Sequence, residues 1–213
     1  WGPGFALLAW VYCIVLGAFR PRPLALATLV TVWAARLAWH IGTRRRAAGE
    51  DRRYAAIRAR YGKAFWWQSL FLVFWLQAAL VWFIALPVLA ASVSASTPVG
   101  FLDAAGILVF ATGFGIEATA DHQLRRFQSA PSNRGQVLDT GLWRYTRHPN
   151  YFGDALLWWG LYMLAASTPR GWLTVASPVL MTFLLVRVSG VALLEPHLRT
   201  SKPSYAAYVR RTS

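Results

Sequence analysis

The chain has 213 residues, 56% of them hydrophobic and 15% aromatic, and only 14% are charged. A globular domain carries about 25% charged residues, and a chain of this length cannot hide so much apolar surface in one core, so a water-soluble fold is excluded. Basic residues number 22 against 8 acidic, for a net charge of +14. A nucleic-acid binder would gather that charge on one wet face, whereas here it is distributed between apolar runs, which leaves anionic lipid headgroups or a phosphorylated ligand as the partner.

Six apolar stretches follow one another: Gly4–Phe19, Leu24–Ile41, Phe65–Ala91, Val99–Leu124, Phe152–Ala166 and Trp172–Leu194. They predict one all-α integral membrane domain over residues 1–213, a polytopic transmembrane helical bundle of about six spans with a cavity at its cytosolic face. The third and fourth stretches extend about 40 Å at 1.5 Å per residue, beyond a bilayer core of roughly 30 Å, so they tilt or protrude. Pro87 is placed to end or kink the third. The fifth is short enough to be a half-span that leaves a cavity at one membrane face. An opening at Trp1 without Met predicts a longer gene product with room for a seventh span, and Arg20-Pro21-Arg22-Pro23 is not a signal cleavage site. A single cysteine, Cys13, excludes an intramolecular disulfide.

Orientation follows from the basic residues. The connection Thr43–Lys63 holds eight, Arg125–Tyr151 holds five and the tail after Leu194 holds four, while the other side has Arg20, Arg22 and Arg170. The positive-inside rule makes the crowded side cytosolic, so that a site built on those connections faces the cytosol. Trp39, Trp66 and Trp67 at inner span ends and Trp172 at an outer end agree with it. In the first cytosolic connection Tyr54, Ile57 and Tyr61 recur at helical spacing among Arg52, Arg53, Arg58 and Arg60, the pattern of a helix lying on anionic headgroups. Ser201–Arg211 is similar, with Tyr205 and Tyr208 flanked by Lys202, Arg210 and Arg211.

Ionisable residues at membrane depth are expensive, so each is a site hypothesis. Glu117 and Asp121 share one helix face with Arg125 a turn later, and Arg36, His40 and Arg44 form a basic stripe. The two stripes either pair across a helix interface or hold a polar ligand. The densest cluster is Gly141–Asp154, where Arg144, Arg147, His148, Asn150, Tyr151 and Asp154 surround Pro149, a residue suited to start a helix whose N-terminal amides attract phosphate. Glu195 and His197 are placed to close the same cavity, or to cap the helix end. The four histidines are too dispersed for a metal site, and none is expected. Gly113–Ala118 matches a dinucleotide fingerprint only as letters, because no strand precedes it; Ala111, Gly115 and Thr119 at four-residue spacing point instead to close helix packing.

These motifs resemble the membrane reductase group of steroid 5α-reductases and sterol reductases, and most closely its bacterial DUF1295 members. The resemblance runs along the whole chain and is carried by Gly141–Asp154 with Trp158 and Trp159, by Gly113–Phe127, and by Val188–Glu195 followed by Tyr205 and Tyr208. It implies an NADPH-dependent oxidoreductase that transfers hydride to a carbon–carbon double bond, commonly conjugated to a ketone, of a steroid-like or other lipid. Asp121, Arg125, Arg147, Asn150, Tyr151 and Asp154 then hold the dinucleotide, Arg36 and Arg45 reach its phosphates, and Arg144, His148, Glu195 and Tyr205 complete the cofactor set. The steroid enzymes' Gln-Glu pair has no counterpart, and their early catalytic tyrosine appears as Trp33, so Tyr151 and Glu117 stand in as catalytic residues. A rival resemblance, to isoprenylcysteine-type methyltransferases, rests on Arg147–Tyr151 with Glu195, Tyr205 and Tyr208 and implies S-adenosylmethionine. That cofactor lacks phosphate and gives no reason for so many arginines. A nonenzymatic membrane lipid-binding protein is the third reading.

Overall fold

The computed structural model describes residues 1–48, 62–94, 97–188 and 191–212, among which every regular element is helical. The surface helix expected around Tyr54, Ile57 and Tyr61 lies outside the described residues, as do the side chains of Arg45 and His197. The chain forms two compact units, Trp1–Ser96 and Thr97–Ser213.

In the first unit, α1 (Gly2–Val15) is a short apolar helix with Pro3 in its first turn, and Gly17 (φ 58°) makes the left-handed turn after it. It packs on α2 (Pro21–Ala48). Gly2 lies against the α2 backbone, where an added Cβ would come 3.1 Å from the Ala34 carbonyl oxygen. Phe5 meets Trp33 edge-on at 5.7 Å, and Trp10 Nε1 donates to Thr31 Oγ1 at 2.9 Å. The third apolar stretch is broken into α3 (Phe65–Ser69), a π-helical segment (Leu70–Trp75), α4 (Leu76–Ile84) and α5 (Leu86–Val93). The bend of 48° falls between α4 and α5. Pro87 lies in the first turn of α5, where its missing N–H costs no helical hydrogen bond, and so the expected break is placed just before it. Arg20 Nη2 donates to the Ser92 carbonyl at 2.6 Å and ties the start of α2 to the end of α5.

The second unit is built on α6 (Phe101–Ser129) and α7 (Pro149–Ala166). Asp103 starts α6 by accepting the Gly100 N–H at 2.9 Å, with its charge at the positive end of the helix. The buried positions of α6 are Asp103, Gly106, Phe110, Gly113, Glu117, Ala120 and Asp121, one face repeating every three to four residues. Against it α7 runs antiparallel, with Gly160 opposite Gly106 and Gly153 opposite Gly113. An added Cβ at Gly113 would come 2.5 Å from the Leu157 nitrogen, and one at Gly160 would come 2.5 Å from the Phe110 nitrogen. Two glycine pairs, seven residues apart on each helix, therefore let the backbones touch. This corrects the expected packing stripe: Ala111, Gly115 and Thr119 are exposed, and a Cβ added at Gly115 would meet nothing within 4 Å.

After a 3-10 turn (Gly171–Val175) come α8 (Ala176–Phe183), a second π segment (Leu184–Val188), α9 (Val191–Ser201) and α10 (Tyr205–Arg211). Pro21–Thr43, Phe101–Ser129 and Gly171–Val188 are long and apolar enough to cross a membrane, and α4 with α5 makes a fourth when the bent pair is one span. The protein is thus a helical membrane protein with three or four helices of spanning length among the described residues, joined by the shorter α1 and the 18-residue α7.

Candidate functional site

The glycine contact sets the site. Because Gly153 lies against the Glu117 backbone, the next turn of α6 brings Asp121 level with the first turn of α7. There Asn150 Nδ2 donates to Asp121 Oδ1 at 3.1 Å. Glu117 and Asp121 are both buried, 3% and 6% exposed. Asn150 Oδ1 is buried without a hydrogen-bond partner among the described residues. Asp154 follows one turn along α7, half-buried.

The loop between α6 and α7 is folded back onto α6. Gly141 (φ 61°) turns the chain against Gln123, whose Oε1 accepts the Leu142 N–H at 3.0 Å. Trp143 Nε1 donates to the Ala120 carbonyl at 3.1 Å, and its ring is buried with Leu138 and Ala120. These anchors deliver Arg147 and His148 to the start of α7, where Pro149 is the first helical residue. Both meet Glu195 of α9: Arg147 Nη1 lies 2.7 Å and His148 Nε2 3.3 Å from Glu195 Oε1. Arg199, one turn further along α9, lies 3.8 Å from Glu195 Oε2. The His148 ring stacks on Tyr151 at 5.7 Å.

Burial is the main influence on the titrating groups around this cluster. It holds His148 below the ordinary imidazole value; the hydrogen bond and charge of Glu195 pull upward, and Arg147 adds to the lowering. A neutral imidazole therefore donates Nε2–H to the carboxylate. Burial, followed by the charge of Glu195, raises the Tyr205 phenol, with Arg147 and Arg199 opposing. Tyr208, buried in α10, is pushed up to about 12, chiefly by burial. Its hydroxyl donates to the Trp143 carbonyl at 2.5 Å and lies 3.4 Å from that of Thr146. Lys202 Nζ donates to the Gln136 carbonyl at 2.5 Å, and Arg211 pairs with Asp139, so the C-terminal segment is fastened to the loop at three points.

Of the residues expected from sequence, the second unit holds Glu117 and Asp121 on α6, Arg147 and His148 just before α7, Asn150, Tyr151 and Asp154 on α7, Glu195 on α9 and Tyr205 on α10. Arg125 is exposed, with its guanidinium 3.5 Å from His122 Nδ1. Arg144 is exposed on a 3-10 turn, without a hydrogen bond or ion pair among the described residues. Arg36 belongs to the first unit. Sequence reasoning missed Arg199, although its four-residue spacing from Glu195 was a readable ion-pair signal. It also missed Gln123 and Trp143, whose roles depend on a loop that doubles back. Beside the cluster, an open cleft of about 460 Å³ is lined by Val186, Arg187, Val191, Glu195, Pro196 and Arg199.

A helical membrane protein with a buried polar corner between α6 and α7 is the class that fold and site define. The family described as "Protein of unknown function (DUF1295)" matches residues 1–212, and the chain belongs to it. No curated protein and no solved structure matches the chain.

Proposed function

We propose that the protein is an NADPH-dependent membrane reductase that adds hydride to a carbon–carbon double bond, one conjugated to a ketone, in a steroid-like or other lipid. Its cofactor site faces the cytosol of a bacterial inner membrane. The observation that carries this reading is that the start of α7 joins two kinds of group: the buried acceptors Glu117 and Asp121 with half-buried Asn150, and the half-buried donors Arg147 and His148 around Glu195. A dinucleotide presents both phosphate oxygens and amide N–H groups, and needs both kinds of partner.

The residues present fit such a ligand. Arg147 Nε and Asn150 Oδ1 are a buried donor and a buried acceptor without hydrogen-bond partners among the described residues. Each unsatisfied buried group costs about 1–3 kcal/mol, which a ligand offering a phosphate oxygen and an amide N–H removes. Arg147, His148, Asn150, Tyr151 and Asp154 would hold the cofactor, and Asp121 orients Asn150. The cofactor supplies the hydride when bound. Tyr151, held by its stack on His148, offers Oη as the proton donor to the substrate oxygen, and the buried Glu117 is the second candidate acid of the corner.

Thermal unfolding of the detergent-purified protein with NADPH, NADH or S-adenosylmethionine tests this, since a ligand that prefers the folded state stabilises it by about 2.7 kcal/mol at a hundred times its Kd. The midpoint is expected to rise most with NADPH, less with NADH, and not at all with NADPH in Arg147→Ala. Enone lipids are then expected to drive NADPH oxidation. A rise with S-adenosylmethionine alone would replace the reductase with the methyltransferase reading. No rise with any of the three would leave a lipid-binding protein.

A further inference from the structure

Arg187 stands in the π segment Leu184–Val188, at the end of the spanning stretch Gly171–Val188. Its side chain is exposed and makes no hydrogen bond or ion pair among the described residues. A guanidinium at the end of a span reaches the membrane interface, where anionic headgroups are its natural partners. π turns give up regular helical hydrogen bonding and recur at functional positions.

The cleft that Arg187 lines supplies the rest of a binding surface. Val186, Val191 and Pro196 form an apolar wall beside it, and Arg199 and Glu195 form the other charged part. Glu195 is already shared, with Oε1 taken by Arg147 at 2.7 Å and by His148 at 3.3 Å, and Oε2 near Arg199 at 3.8 Å. One carboxylate thus stands against the three guanidinium groups of Arg147, Arg187 and Arg199, beside an imidazole that burial keeps neutral. The excess is cationic and borders apolar surface at the end of a span. That combination suits an anionic head carried on a hydrocarbon chain better than a free anion, which has no use for the valines and proline.

We infer that the cleft between the Leu184–Val188 segment and α9 binds the phosphate headgroup of an anionic membrane lipid. Arg187 and Arg199 donate to the phosphate, and Val186, Val191 and Pro196 cover the first acyl carbons. This site goes beyond the proposed reduction and does not depend on it. The difference in thermal midpoint between mixed micelles of phosphatidylglycerol and of phosphatidylcholine, with matched acyl chains, reads it directly. Phosphatidylglycerol is expected to raise the midpoint over phosphatidylcholine. Arg187→Gln is expected to lose at least half of that difference, Arg187→Lys to keep most of it, and Arg170→Gln, exposed beyond the far end of α7, to keep all of it. The response of Arg187→Gln to NADPH is expected to equal that of the unsubstituted protein. An undiminished lipid difference in Arg187→Gln would overturn the site. Equal midpoints in the two lipids, or an equal rise produced by inorganic phosphate alone, would also overturn it. Loss of the NADPH response in Arg187→Gln would assign the cleft to the cofactor instead.

Discussion

At Gly153 the packing of the protein and the shape of its candidate site depend on the same missing atom. A Cβ there would come 2.5 Å from the Glu117 nitrogen and 2.6 Å from the Gly113 oxygen, and backbone atoms cannot swing aside. The two helices would have to part, taking Asn150 away from Asp121. Gly153→Ala is therefore expected to destabilise by about 1–3 kcal/mol, as overpacking does, and to weaken any NADPH response. Gly115→Ala, where an added Cβ meets nothing within 4 Å, is expected to be neutral or to stabilise, by up to about 1 kcal/mol for a helical position. Denaturation midpoints in one detergent check both. His148 adds a dependence on pH. Burial lowers its folded pKa, so below the ordinary value the unfolded chain takes up a proton that the folded chain resists. Its contribution is complete above about pH 6.5 and is lost as pH falls from there through the folded pKa. In His148→Gln the midpoint is expected to fall less between pH 7 and pH 5 (roughly the imidazole window) than in the unsubstituted protein. An unchanged pH profile would remove His148 from that account.

The helix α10 contributes by fastening the loop that delivers Arg147. Tyr208 donates to the Trp143 carbonyl at 2.5 Å, while Lys202 and Arg211 hold Gln136 and Asp139. Tyr208→Phe keeps the ring and removes the donor from a buried carbonyl, at a cost of about 1–3 kcal/mol. Faster proteolysis between Asp139 and Arg147 is expected alongside the lower midpoint, because the tether is local. Only the pattern of α10 was legible beforehand: the two tyrosines among cations read as a surface segment, and the carbonyls that Tyr208 serves come from more than sixty residues away. The helices themselves were legible because lipid demands long apolar runs, and proline marked both the break before α5 and the start of α7. The packing face of α6 was not, since four-residue and seven-residue spacings both mark one face of a helix. The repeat of the seven-residue glycine spacing in α7, Gly153 and Gly160 matching Gly106 and Gly113, was the signal that could have decided it. Arg125 was placed on the acidic stripe by spacing alone. Because α7 begins at Pro149, level with Asp121, a residue one turn beyond Asp121 extends past the start of α7 and is exposed.

Across the whole chain, the distribution of arginine and lysine makes a statement about sidedness that the helices turn into a geometric test. The loop before α7 belongs to the face crowded with positive charge, and Arg170, just beyond its end, belongs to the sparse face. Eighteen residues of helix separate them, a rise of about 27 Å, close to the thickness of a bilayer core. The sole cysteine, Cys13, is buried, so single cysteines introduced elsewhere can be read against a quiet background. Ser132 and Arg170 are both exposed. Ser132→Cys is expected to react with a membrane-impermeant maleimide in inside-out vesicles and to be protected in intact spheroplasts, and Arg170→Cys is expected to show the reverse. Labelling of both from one face would mean that α7 does not cross the membrane. Labelling from opposite faces in the inverted sense would keep the fold but put Arg147, His148 and Glu195 where no cytosolic dinucleotide can reach them. The reductase reading would then fail even with every distance in the site unchanged, because a cofactor made and recycled in the cytosol has to meet those residues from that side.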